Sequence, residues 1–362
     1  ASNTTSTITQ LSTINYTGVS GGNWSTASNW QDSKIPDLSN VATAVIPVNT
    51  VVVYDYDHSG NNYSNSAITV NSGSKVQFNN ASSITASNNI SGDGGIEKLA
   101  ASTLILSGTN TYTGATTITA GTLKLGSSTA LSSSSAATVS SGTYLDLNSY
   151  SGTLGSITGS GTIYNSAEST TSTLTSGANN TSTTFDGIIK DNTGTGGIVA
   201  VVKSGTGTLT LSGTNTYSGG TVVRAGNIYA DNSSAFGSGS ITLGNTTGTS
   251  AAGIYGDATG SLTITNAIIL ATNSNNPTIT IGNTSSVSSG TTTFTGGVTG
   301  ANNFIIANNG AGALLFSGSA INNTGSITNS GSGAGRTTIN ARIGAPVFGD
   351  VNVTNVVQNG TS

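Results

Sequence analysis

Leu106-Ser107-Gly108-Thr109-Asn110-Thr111-Tyr112-Thr113-Gly114 returns almost unchanged as Leu211-Ser212-Gly213-Thr214-Asn215-Thr216-Tyr217-Ser218-Gly219, and in decayed form around Phe316-Ser317-Gly318-Ser319-Ala320. Leu106 and Leu211 stand 105 positions apart, and so do Leu211 and Phe316; the spacing holds where the letters do not. Self-similarity at a fixed period marks stacked units, each burying its apolar face only against its neighbours. A repetitive stack offers surface before it offers a unique catalytic pocket, so the repeat bears on function as well as on fold.

Around the repeat lie short alternating segments: Thr208-Leu209-Thr210-Leu211, Thr122-Leu123-Lys124-Leu125, Tyr144-Leu145-Asp146-Leu147, Ser261-Leu262-Thr263-Ile264 and Thr278-Ile279-Thr280-Ile281. A period of two puts Leu and Ile on an inner face and Thr on a wet one, where a β-branched hydroxyl suits the pleat. Gly, Asn and Ser punctuate the segments and accept the backbone of tight corners. No stretch keeps a 3.6-residue period, so almost no helix is expected. Strands joined by such corners, at roughly 20 to 25 residues per turn, predict an all-β parallel β-helix. Residues 1–65 hold both Trp, two of the four Pro and the only His, and read as an N-terminal strand and cap region. Residues 66–344 read as the β-helix body and 345–362 as a β-prone tail.

Of 362 residues only 6% are charged, while Gly alone numbers 50. The outside must therefore be hydroxyls and amides. Nine scattered Lys and Arg and a net charge of −4 exclude a nucleic-acid partner, which needs basic patches. No Cys is present for disulfides or thiolate metal sites, and no apolar run reaches the length of a membrane helix. The chain has no Met, so Ala1 reads as a processed end, with a secretory signal already removed.

Gly205-Thr206-Gly207-Thr208-Leu209-Thr210-Leu211-Ser212-Gly213-Thr214-Asn215-Thr216-Tyr217-Ser218-Gly219-Gly220-Thr221, followed by Ala225-Gly226, resembles the passenger-associated transport repeat of bacterial autotransporter passengers. A second copy runs from Ala101 to Gly121, and Gly22-Asn23-Trp24 with Ser28-Asn29-Trp30 is similar to the opening of many such surface proteins. The resemblance implies a right-handed parallel β-helix, exported and displayed outside the cell, serving adhesion or biofilm, and carries over no catalytic residues. It also implies an outer-membrane barrel, and nothing after Gly318 resembles one.

Catalysis is not expected. His58 is the sole imidazole, and no nucleophile motif accompanies it and its neighbours Asp55 and Asp57. Glycoside chemistry needs paired acids, and the close pairs outside the cap are Asp93 with Glu97 and Asp186 with Asp191, which read as corner groups. Asp55, Asp57 and Ser59 before Gly60 form the first half of a calcium-loop pattern and are the candidate ligands of a structural Ca²⁺; position twelve is Ser66, not the bidentate Glu. No other cofactor is expected. Asn110 and Asn215 read as corner residues and Tyr112 and Tyr217 as packing aromatics. Trp24 and Trp30 read as a seal on the first coil, with a platform for sugar rings as the alternative.

Both ends are strand-like. Ile8 and Ile14 at the start, and Val347, Phe348, Val351, Val353, Val356 and Val357 at the end, are the candidates for head-to-tail pairing between copies of the chain, a contact that does not close and therefore builds filaments. The expected function is a non-enzymatic, secreted or surface-displayed structural protein, a filament or biofilm-matrix subunit or an adhesin. The alternative is a β-helix that binds or degrades carbohydrate, with host or matrix glycans as partners.

Overall fold

In the strand Thr208–Leu211, Leu209 and Leu211 are buried and Thr208 and Thr210 are not, as alternation requires. The same inward–outward pattern recurs in Thr103–Leu106, Thr122–Leu125 and Ala313–Phe316. Side by side in register, such strands stack one aliphatic residue on the next. Leu104 pairs with Ile84 on one side and Leu123 on the other, all three inside the core. Each such side chain withdrawn from water contributes about 1.5–3 kcal/mol.

The computed structural model describes residues 10–37, 40–55, 66–194, 196–344 and 353–358. It divides into two compact units, Ala1–Asp146 and Leu147–Ser362. Within each unit, the ladders between described strands are parallel, with one isolated antiparallel bridge at Tyr16–Trp30, and successive strands of a ladder are successive coils, so both units are β-solenoids. Helix among the described residues is confined to two 3-10 turns, Ala27–Asn29 and Gln31–Ser33.

In the first unit three ladders wind round the core. One runs through Leu11–Asn15, Val41–Ile46, Ala67–Val70 and Ile90–Ser91, and a second climbs from Gly22–Asn23 through Val51–Tyr54, Lys75–Phe78 and Gly95–Lys98 to Thr116–Ile118 and Ala136–Val139. Ile84–Ala86, Thr103–Leu106, Thr122–Leu125 and Tyr144–Asp146 make the third. Parallel pairing thus begins at Leu11, inside the segment read as a cap, and Val41–Ile46 pairs onward with Ala67–Val70.

The longest ladder of the second unit is Ser156–Gly159, Thr183–Phe185, Thr208–Leu211, Gly226–Ala230, Ala252–Gly256, Ile279–Asn283, Phe304–Asn308, Gly325–Asn329 and Val353–Gln358. Beside it run the ladders through Ile198–Lys203 and through Ala313–Phe316.

Coil length is less even than the sequence pattern suggests. Leu104 lies in register with Leu123, Leu174 with Val201 and Ile268 with Val298, and each of these coils is longer than the one before. The ladder fixes only the strands, and solvent-side corners absorb the difference at little cost in loop entropy. The decayed third copy keeps its strand, with Phe316 between Phe294 and Ile339, but has Ala320 and Asn322 where the others have Asn and Tyr.

Candidate functional site

The polar letters of the repeat are turned inward. Asn110 accepts the backbone N–H of Ile90 at 2.9 Å through Oδ1 and donates Nδ2 to the carbonyl of Ala130 at 2.7 Å. Asn215 repeats this with Ile189 N–H at 2.7 Å and the Ala235 carbonyl at 2.8 Å. One side-chain amide thus replaces a missing peptide rung between the coil on one side and the coil on the other. Asn215→Leu removes the bridge and leaves both buried backbone groups unpaired, so the expected loss is about 2 kcal/mol, read as a lower urea midpoint with unchanged secondary structure.

Tyr112 and Tyr217 are fully buried, and each phenol shares a hydrogen bond with the threonine four residues on, Thr116 at 2.7 Å and Thr221 at 2.6 Å. Burial holds both phenols far above their ordinary pKa, against the lowering effect of those hydroxyls. Residue type alone does not single out two further members, Lys98 and Lys203, although they too are 105 positions apart. Both are buried. Lys203 Nζ donates to the carbonyls of Ser204 at 2.6 Å, Gly205 at 2.8 Å and Ala225 at 3.3 Å, and Lys98 Nζ reaches those of Ala100 and Ala120. Burial lowers both ammonium groups, Lys203 to about 8.

The carboxylates read as corner groups have local partners. Glu97 meets Lys75 at 2.6 Å and Gln77 at 2.8 Å; burial works against ionisation, but these donors outweigh it and hold its pKa below the ordinary value. Asp93 accepts from Thr113 at 3.2 Å. Asp191 accepts Val199 N–H at 2.8 Å and both donors of Ser218, at 3.0 and 2.5 Å.

Trp24 and Trp30 are 2% and 1% exposed, so neither ring face is open to a sugar. They belong to an aromatic chain in which ring centroids follow at 5.2 Å for Tyr16–Trp30, 4.6 Å for Trp24–Trp30, 5.1 Å for Trp24–Tyr54 and 5.2 Å for Tyr54–Phe78. The Trp30 indole N–H donates to the Trp24 carbonyl at 2.8 Å. Of the calcium-loop residues, Asp55 accepts the N–H and Oγ of Ser25 at 2.9 and 2.6 Å; Asp57, His58 and Ser59 lie outside the described residues.

Of the assembly candidates, Ile14 is in the core beside Ala44 and presents no surface to a partner. Val353 is buried, Val357 half-buried and Val356 54% exposed, on the last strand of its ladder. Ile8, Val347, Phe348 and Val351 lie outside the described residues.

The non-core side of the long ladder in the second unit carries a patterned column: Thr184, Thr210, Tyr229, Tyr255, Gly282 and Ala307, each paired in register with the next, of which the first four reach solvent and Gly282 and Ala307 are buried. Two residues further along each strand or just beyond it stand Asp186, Ser212, Asp231, Asp257 and Thr284. Ser212 donates to Asp186 at 2.5 Å and Thr284 donates to Asp257. Burial, then the charges of Asp257 and Asp186, raise the pKa of Asp231.

Fold and repeat together define a parallel β-solenoid whose repeated residues serve the stack. The family model of the passenger-associated-transport-repeat matches residues 97–125 and 201–228, so the chain carries two repeats of the autotransporter-passenger kind. No curated protein and no solved structure matches the chain.

Proposed function

We propose that the protein is a non-enzymatic structural component, exported and held outside the cell, which assembles head-to-tail into a filament or matrix through its terminal strands. The observation that carries this reading is the strand Val353–Gln358. Among the described residues it is the last strand of the long ladder of its unit, with one row of backbone donors and acceptors facing away from Gly325–Asn329, and it keeps Val356 in solvent. An edge of this kind is a template for another strand. The passenger repeats support export, because passengers are carried to the cell exterior. The low charge supports assembly, because few ionic groups need be desolvated when copies meet.

Electron microscopy of the purified chain over a range of concentrations tests it. Filaments that lengthen with concentration are expected, and isolated single particles at every concentration would refute assembly. Removing residues 345–362 should abolish filaments, and so should Val356→Asp, whose side chain touches solvent and leaves the fold intact. Filaments that persist in both variants would place the contact elsewhere and overturn the proposal.

A further inference from the structure

We propose that the outward face of the long ladder in the second unit, around Tyr229 and Asp257, binds an oligosaccharide carrying free amino groups. The proposal concerns the flank of the solenoid and stands independently of what the end strands do.

The shape comes from the order of side chains in register. Two small rows, Thr184 and Thr210, are followed by two large ones, Tyr229 and Tyr255, and then by Gly282 and Ala307. The tyrosines form a ridge, with ring centroids 5.4 Å apart at 70°. At the step between the threonines and the ridge lies an open groove of about 460 Å³, lined by Ser182, Thr184, Thr208, Thr210, Tyr229 and Asp257. That volume falls inside the range of about 300–1,000 Å³ usual for small-ligand sites.

The chemistry selects the ligand. Hydroxyls on the floor offer donors and acceptors to sugar hydroxyls, and a tyrosine ring offers a flat apolar face to the C–H side of a pyranose. Asp186, Asp231 and Asp257 stand along the same face, and no ion pair involves them among the described residues. Asp231, only partly screened from water, accepts no hydrogen bond from a described side chain. Carboxylates repel one another, a repulsion that an ammonium group relieves and an anionic or phosphorylated glycan worsens. An ammonium beside Tyr229 also gains from the ring's negative face. Coils rise by about 4.8 Å, close to the advance of one unit in an extended β-linked sugar chain, so successive sugars meet successive rows.

Exposed charge pairs are individually weak, so binding should be modest and sensitive to salt. Titration of the whole chain with a β-1,4-linked glucosamine hexamer, followed by calorimetry, tests the proposal. Saturable binding is expected, at least tenfold weaker with the N-acetylated hexamer and with cellohexaose. Tyr229→Ala and Asp257→Asn should each weaken it at least fivefold, while Asp93→Asn, an exposed carboxylate of the other unit, should leave it unchanged. Thermal melting of each variant checks that the fold survives, and filament formation should be unaffected. No binding, equal binding of the uncharged hexamers, or hexalysine binding as well as the sugar with no effect of Tyr229→Ala would each overturn it.

Discussion

Gly213→Ala is expected to cost more than about 3 kcal/mol and to broaden or abolish the cooperative unfolding of the second unit. A Cβ at this position would stand 1.8 Å from the carbonyl oxygen of Gly187 and 2.8 Å from its carbonyl carbon, both backbone atoms of the preceding coil. A flexible side chain could move aside; a peptide carbonyl in a stacked coil cannot, and separating the coils breaks the rungs on either side. The equivalent Gly108 has the same constraint, with Asn88 O at 1.9 Å, so Gly108→Ala should behave alike. Gly142 supplies the contrast. Its φ of +75° is left-handed but open space surrounds it, so Gly142→Ala bears only the conformational penalty of about 1–2 kcal/mol. Urea unfolding of the three variants decides the matter: equal midpoint shifts for Gly142 and Gly108, which share the first unit, would mean that close approach of coils is not what the motif's glycine serves.

The stack was legible because two independent signals agree, an alternation of Leu with Thr and an echo at a fixed spacing. Asn110 and Asn215 were legible as corner residues, since a short amide in a tight corner has few other uses. Lys98 and Lys203 were not. A lysine ordinarily keeps its charge in water, so composition places it outside, and only its recurrence at the repeat spacing marks it as part of the motif. Trp24 and Trp30 were legible as large apolar area at the start of the solenoid, and the structure places both in the aromatic core. The flank around Tyr229 left a subtler trace. Thr184 and Thr210, Tyr229 and Tyr255, and Asp231 and Asp257 share one sequence offset, which is the length of the coils that join them. Without that coil length the offset reads as chance, and the unevenness of the other coils hides it.

Lys203→Met is expected to destabilise the second unit by about 3 kcal/mol, because it keeps most of the side-chain volume but removes the donor shared by the Ser204, Gly205 and Ala225 carbonyls. The wild-type lysine also leaves a signature in pH. Its folded pKa of about 8 lies below the ordinary 10.5, so between those values the unfolded chain holds a proton that the folded chain has released. Stability therefore rises as pH climbs from about 8. Lys98, lowered in the same direction, adds to the rise. Tyr112 and Tyr217 act oppositely: burial raises their folded pKa above the ordinary 10.0, so the stability they contribute is complete below that value and is lost above it, as the unfolded phenols ionise. The free energy of unfolding should thus climb from about pH 8, turn over beyond about pH 10 and then fall. In the double variant Lys98→Met, Lys203→Met the climb should vanish while the alkaline fall persists. Denaturant titrations at closely spaced pH values measure both limbs, and a wild type whose stability is flat or falling between pH 8 and 10 would show that the two ammonium groups are not desolvated inside the coils.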